Sequence, residues 1–138
     1  MSRQDAKSAK NEPSLDVDTL AHAVIGAAIE VHRHLGPGYL ESVYEEALAL
    51  EFGIQNISYQ RQCAMPVTYK GRQVGQGKVD FLVGGMLVVE LKAVEKLLPL
   101  HKAQVISYLK ASGCQLGLLV NFDERTLREG IQRVVLTD

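Results

Sequence analysis

Two short apolar runs, Val79–Val83 and Met86–Leu91, lie on either side of Gly84-Gly85, and each carries a carboxylate: Asp80 in the first, Glu90 in the second. Runs of this length bounded by glycine read as buried strands joined by a hairpin turn. A buried strand does not hold an ionised acid unless something compensates the charge. Lys92 follows two residues after Glu90. Side chains alternate faces along a strand, so Val88, Glu90 and Lys92 share one face while Leu87, Val89 and Leu91 take the other. Loop length then sets the register. A turn made of the two glycines alone pairs Val83 with Met86, puts Asp80 opposite Val89 and turns the acids apart. A three-residue loop, Gly84 to Met86, with a glycine in the left-handed position of a bulge, pairs Val83 with Leu87. Asp80 then stands across from Glu90, Cα atoms about 5 Å apart, and this is the expected register.

Two adjacent carboxylates raise one another's pKa unless a cation lies between them. A hard divalent ion such as Mg²⁺ suits oxygen ligands and keeps several of its waters. Such a site can activate water toward a phosphodiester while an ammonium group steadies the developing charge. The plainer alternative makes Asp80 and Glu90 solvent-facing hairpin residues, with Lys92 a cross-strand salt-bridge partner. A D…ExK pattern alone is short enough to arise by chance.

At 138 residues and 46% apolar content the chain fits one globular domain with one core. No apolar stretch nears the ~20 residues that span a bilayer. Met1–Glu12 is polar and has no signal-peptide core, so the cytoplasm is the expected compartment, with no membrane association. Cys63 and Cys114 suit neither a zinc site nor a disulfide framework and read as small buried fillers. Net charge is −1, which by itself argues against a non-specific binder held to nucleic acid by bulk charge. Its distribution is uneven. Residues 1–60 carry four Lys/Arg against nine Asp/Glu, whereas residues 61–110 carry eight against three. The segment that holds the candidate acids is thus basic, as a phosphate backbone requires; a solvated sheet with lysine-guarded edges would look similar.

Residues 1–15 are polar and unpatterned and read as a flexible tail, with 16–138 a single domain. Asp16 or Asp18 is placed to cap a first helix, whose apolar positions Leu20, Val24, Ala27, Ala28, Val31 and Leu35 recur at helical spacing before Gly36-Pro37-Gly38 stops it. A second helix runs from about Tyr39 to Phe52-Gly53, with Glu41 in its first turn and Tyr44, Glu45 and Leu48 as neighbours. The helix dipole alone favours an acid there. Strands follow at Ile57–Tyr69, Gln73–Val83 and Met86–Ala93, with Lys70-Gly71-Arg72 turning the first hairpin. Leu98-Pro99 opens a third helix that Gly113 closes. There His101, Gln104 and Tyr108 form a polar stripe, apart from the stripe Val105, Ile106 and Leu109 that should face the core. Gln115–Asn121 reads as a buried strand, and the segment after Asp123 as a helix over Glu124–Gln132 that ends extended through Val134-Val135-Leu136. His32 and His34, near the end of the first helix, are placed to meet its last carbonyls, and no histidine pair has metal-ligand spacing.

The order is α-α-β-β-β-α-β, an α/β (α+β) arrangement with a mixed central sheet flanked by helices. Against it the motifs resemble a known family. Gly38-Tyr39-Leu40-Glu41-Ser42-Val43-Tyr44 carries the G-x-x-E-x-x-Y signature of a small bacterial family, GxxExxY, assigned to the PD-(D/E)XK nuclease superfamily, and the resemblance covers about Asp18 to Phe122. Asp80 in Val79-Asp80-Phe81 resembles the first strand acid, with Val79 where a proline often stands. Glu90-Leu91-Lys92 resembles the E-x-K element, Glu41 the helical acid, and Gln104-Val105-Ile106-Ser107-Tyr108 the Q-x-x-x-Y element of RecB-type nucleases.

The resemblance implies a restriction-endonuclease-like core and Mg²⁺- or Mn²⁺-dependent phosphodiester hydrolysis. Asp80 and Glu90 would hold the metal, with Glu41 beside it and the Leu91 carbonyl completing its sphere. Lys92 would orient water or stabilise charge, and Gln104 and Tyr108, with His101 on the same stripe, would position the strand. DNA is the expected substrate. A fold does not guarantee its activity, so two alternatives stand beside the nuclease. One is a non-catalytic nucleic-acid or protein-interaction module; the other is a subunit that needs a partner, a second copy included, to be active.

Overall fold

The computed structural model describes residues 15–136. The tail expected over 1–15 lies outside them except for Leu15, which begins the first helix. Helices α1 (Leu15–Leu35) and α2 (Glu41–Ile54) precede strands β1 (Tyr59–Tyr69), β2 (Arg72–Val83) and β3 (Leu87–Lys92). Helix α3 (Pro99–Ser112), strand β4 (Leu116–Asn121), a 3₁₀ turn (Leu127–Gly130) and strand β5 (Ile131–Val134) complete the order. Asp16 and Asp18 sit in the first turn of α1 rather than at its cap, where they still complement the positive end of the helix dipole. Asp18 also binds Arg133 of β5 at 2.7 Å.

The five strands form one mixed sheet in sequential order β1-β2-β3-β4-β5. β3 and β4 are parallel and the other pairs antiparallel. α3 makes the crossover that a parallel pair needs. One face of the sheet, with Phe81, Val83, Leu87, Val89, Leu91, Leu118 and Val120, packs against α1 and α2. The other, with Val79, Val88 and Leu119, packs against Val105, Tyr108 and Leu109 of α3. Helices on both faces explain why β3 and β4 read as continuous apolar runs. This is a restriction-endonuclease-like α+β arrangement.

The structure departs from the sequence expectations at several further points. Glu124–Gln132 is not a helix. Residues 127–130 make only a 3₁₀ turn, and Ile131–Val134 pairs with β4 through Val120↔Ile131 to Gly117↔Val134. β4 is buried along its whole length, so the N–H and C=O groups on its outer edge have no water to bond, and a paired strand answers them better than a helix would. Tyr108 does not lie on an exposed polar stripe. It is buried beside Val105 and Leu109, while Ile106 is only half-buried. His32 bonds the Glu124 carbonyl through Nε2 at 2.8 Å and His34 binds Glu30, so neither caps its own helix. Cys114 is buried but Cys63 only half so, and both are free thiols. Among the described residues no helix is long and apolar enough to cross a membrane.

Candidate active site

The β2–β3 hairpin takes the odd loop. Val83 pairs with Leu87, Leu82 with Val88 and Phe81 with Val89, leaving Gly84, Gly85 and Met86 outside the ladder. Both glycines hold positive φ, 59° and 69°, which a side-chain-bearing residue adopts only with strain. The next pair in that register is Asp80 with Glu90. There the backbone ladder gives way to side chains: the Asp80 N–H donates to Glu90 Oε1 at 3.1 Å, and the Leu91 N–H donates to Asp80 Oδ2 at 2.8 Å. Each carboxylate thus stands in for a carbonyl of the opposite strand. A residue's N–H and C=O point to the same strand edge, so the Leu91 carbonyl is directed toward this gap as well.

The two acids are 7% and 4% exposed, which removes the reading of them as solvent-facing hairpin residues. Burial pushes the Glu90 carboxyl up to about 8, with the charge of Asp80 adding to it and Lys92 opposing it. Burial also raises Asp80, although the Leu91 N–H and the Gln62 amide pull it back. Glu41 opens α2, and burial together with the charge of Asp80 raises it too. Lys92 Nζ lies 3.8 Å from Glu90 Oε2, on the face that strand alternation assigned to both. Glu41, Asp80, Glu90 and Lys92, from three elements, therefore act on one another around one gap.

Two residues of this neighbourhood escaped the sequence reading of the site. Gln62 of β1 stands opposite Asp80, between the pairs Arg61↔Phe81 and Cys63↔Val79. Its Nε2 bridges Asp80 Oδ1 at 3.1 Å and Glu45 Oε1 at 3.0 Å. Its φ of 49° is left-handed for a residue that is not glycine, the kind of strain found at functional sites. Strict alternation would keep Val79 on the face of Phe81 and Val83, yet Val79 packs with the α3 layer and Phe81 with the α1–α2 layer. The strand changes face at Asp80, beside Gln62. Glu45 lies one turn after Glu41, its charge raises Asp80, and its other oxygen holds Arg61 at 3.0 Å. The spacing of Glu45 from Glu41 was a legible signal; Gln62 carried none, because its place depends on the irregular backbone.

The third helix meets the site through Tyr108. Its hydroxyl donates to the Lys78 carbonyl at 3.0 Å, two residues before Asp80. Burial and the charges of Glu90 and Asp80 raise its pKa, with the Gln104 side chain partly offsetting them. Gln104 itself is exposed. His101 turns back to the start of α3, where Nδ1 accepts the Leu98 N–H at 3.0 Å. That contact gives it a capping task.

The donor set fits a hard divalent cation: it is all oxygen, and its carboxyls are held above their ordinary range first by burial and then by neighbouring acids, Asp80 acting on Glu90 and Glu45 on Asp80. Asp80 and Glu90 are now occupied with backbone N–H groups, and among the described residues no three His, Cys, Asp or Glu side chains are gathered closely enough to enclose an ion. Two carboxylates with water filling the remaining positions suit Mg²⁺ better than a closed protein cage.

A sequence model of the PD-(D/E)XK nuclease superfamily matches residues 18–134. No curated protein and no solved structure matches. The chain belongs to that superfamily.

Proposed function

We propose that this member of the PD-(D/E)XK nuclease superfamily hydrolyses phosphodiester bonds, with DNA as substrate, and that it represents the GxxExxY branch. Asp80 and Glu90 would hold Mg²⁺ or Mn²⁺, with Glu41 alongside and the Leu91 carbonyl as a further ligand. When bound, the ion would neutralise the phosphate and make its water acidic enough to attack. Lys92 places an ammonium beside Glu90, where charge accumulates on the phosphate oxygens. Tyr108 fixes α3 against β2 and so holds Asp80 in place, while Gln104 offers an exposed amide to the strand. His101 serves by setting the start of the helix that carries both. The observation that carries this reading is the pair of buried, mutually repelling carboxylates at the point where the β2–β3 ladder opens.

The test is cleavage of single-stranded, double-stranded and branched DNA and of RNA with Mg²⁺ or Mn²⁺. Cutting of DNA that EDTA and Asp80→Asn both abolish is the expected result. An Asp80→Asn protein that cuts as fast as wild type would overturn the assignment. A second reading, a subunit active only with a second copy of itself, is favoured by the apolar row Leu40, Val43, Leu50 and Ile54 left exposed along α2. It predicts activity that rises with the square of protein concentration and is lost in Leu50→Glu.

A further inference from the structure

We propose that the outer half of the β1–β2 ribbon is an arm that lies in the major groove of B-form duplex DNA and holds it across the acidic gap; the substrate class rests on the nuclease reading above. The arm is set apart by its pairing. β2 pairs with β3 only from Phe81 to Val83, so residues 72–79 of β2 pair with β1 alone. The inner part of this two-stranded ribbon is covered by α3, where an added Cβ at Gly77 would lie 3.0 Å from the Tyr108 ring. Beyond Met65 the cover ends. Pro66–Tyr69 and Arg72–Gln76 are exposed throughout, with Tyr69 and Val74 each 63% exposed. An isolated two-stranded ribbon gains little from burial and is marginal by itself in water. A projecting one with exposed apolar residues is therefore built to meet a partner.

Charge identifies the partner. From Phe52 to Val79 the sequence holds four basic residues, Arg61, Lys70, Arg72 and Lys78, and no Asp or Glu. Arg61 is already neutralised by Glu45 and Glu46. Lys70, Arg72 and Lys78 remain along the ribbon, with Lys70 Nζ 5.4 Å over the Tyr69 ring at the tip. A chain of net charge −1 that gathers cations on one projecting element, without counter-charges among the described residues, presents a surface for a polyanion. Shape narrows the choice. A two-stranded ribbon enters the major groove of B-DNA, whereas the deep, narrow groove of A-form RNA does not admit it. The four residues beyond Met65 carry the tip about 13 Å past the last covered position, enough to enter a groove ~8.5 Å deep. Asp80 lies on the same strand, so the arm leads straight out of the acidic gap, and from Asp80 to Arg72 is about 26 Å. That is less than one turn of duplex, ~34 Å. The arm and the gap can therefore engage neighbouring stretches of one DNA molecule.

The test is fluorescence anisotropy of a labelled 30-base-pair (~100 Å) DNA duplex in EDTA across a range of salt. Lys70→Gln/Arg72→Gln should melt like wild type, lower the salt slope by about 2 and weaken duplex binding about 10- to 30-fold near 0.15 M salt. Lys110→Gln/Arg133→Gln removes the same charge elsewhere and should weaken it much less. Single-stranded DNA and the matching RNA duplex should bind more weakly than the DNA duplex. An unchanged slope in the arm variant, an equal loss in the control, or single-stranded DNA bound as tightly as duplex would each overturn the proposal. So would a dimer that Val74→Lys dissociates, because the ribbon would then be an edge for a second copy. Binding in EDTA is read without cleavage, so a chain that cuts nothing still tests the arm, and the two readings fail separately.

Discussion

Glu90→Gln should make the metal-free protein more stable in alkali and leave it little changed in acid. In the folded chain the Glu90 carboxyl is raised from 4.5 to about 8 by burial and by Asp80. Between those two values the unfolded chain has lost this proton and the folded chain keeps it, so folding takes up a proton and stability falls as pH rises. The contribution is complete below 4.5 and is lost as pH rises through about 8. A shift of that size corresponds to at most about 5 kcal/mol. Gln keeps an oxygen to accept the Asp80 N–H but carries no charge, so it avoids the alkaline penalty. It forgoes the 3.8 Å contact with Lys92. The assay is urea unfolding in EDTA from pH 5 to 9. Wild type should lose stability across that range, while the variant, which keeps only the weaker slopes of Glu41 and Asp80, loses less and exceeds wild type by on the order of 3 kcal/mol at pH 8.5. Saturating Mn²⁺ should stabilise wild type by about 2.7 kcal/mol at a hundredfold excess over Kd and leave the variant almost unmoved. A variant less stable than wild type at every pH would refute the reasoning, since Glu90 would then be an ordinary structural partner.

Three other outcomes follow from the same geometry. Lys92→Met should lower kcat about 10²- to 10³-fold with Mn²⁺ affinity and duplex binding retained, read by steady-state kinetics and calorimetry; a fall in affinity alone would contradict the role proposed for it. Gln62→Gly should relieve the left-handed strain by about 1 kcal/mol, yet slow cleavage because Asp80 loses the amide at 3.1 Å, so melting temperature and rate should move in opposite directions. Tyr108→Phe strands the Lys78 carbonyl that the hydroxyl meets at 3.0 Å and should cost about 1–3 kcal/mol in urea unfolding.

The register that brings Asp80 and Glu90 together was legible because two glycines flanked by apolar runs allow few loops, and only the three-residue one sets both acids opposite each other. The face shared by Glu90 and Lys92 followed from alternation along β3, which runs regularly between two covered faces. Alternation was no guide in β2, where Val79 and Phe81 belong to different layers. A local change of strand face has no composition signal, and Gln62 was invisible for that reason. β5 was missed on other grounds. Its four residues have too little pattern to declare themselves, and only the unpaired edge of buried β4 makes pairing the better outcome. Tyr108 falls at helical spacing from His101 and Gln104 and so reads as part of a polar stripe, whereas a buried tyrosine needs only one partner, here the carbonyl of Lys78.

The change of strand face and the site share one cause. A sheet with both faces covered has no dry place for two carboxylates unless its ladder opens, and the opening at Asp80 substitutes each acid for a carbonyl of the neighbouring strand. That exchange keeps the backbone satisfied while leaving negative charge without enough positive charge around it. Lys92 opposes the rise, yet burial, helped by the neighbouring acids, holds the carboxyls of Glu41, Asp80 and Glu90 above their ordinary range. An apolar or hydrogen-bonded pair at these positions would make a more stable sheet. The chain keeps a destabilising arrangement at the point where the strand also changes face, and a local conflict in an otherwise consistent fold is what a functional or strained site produces.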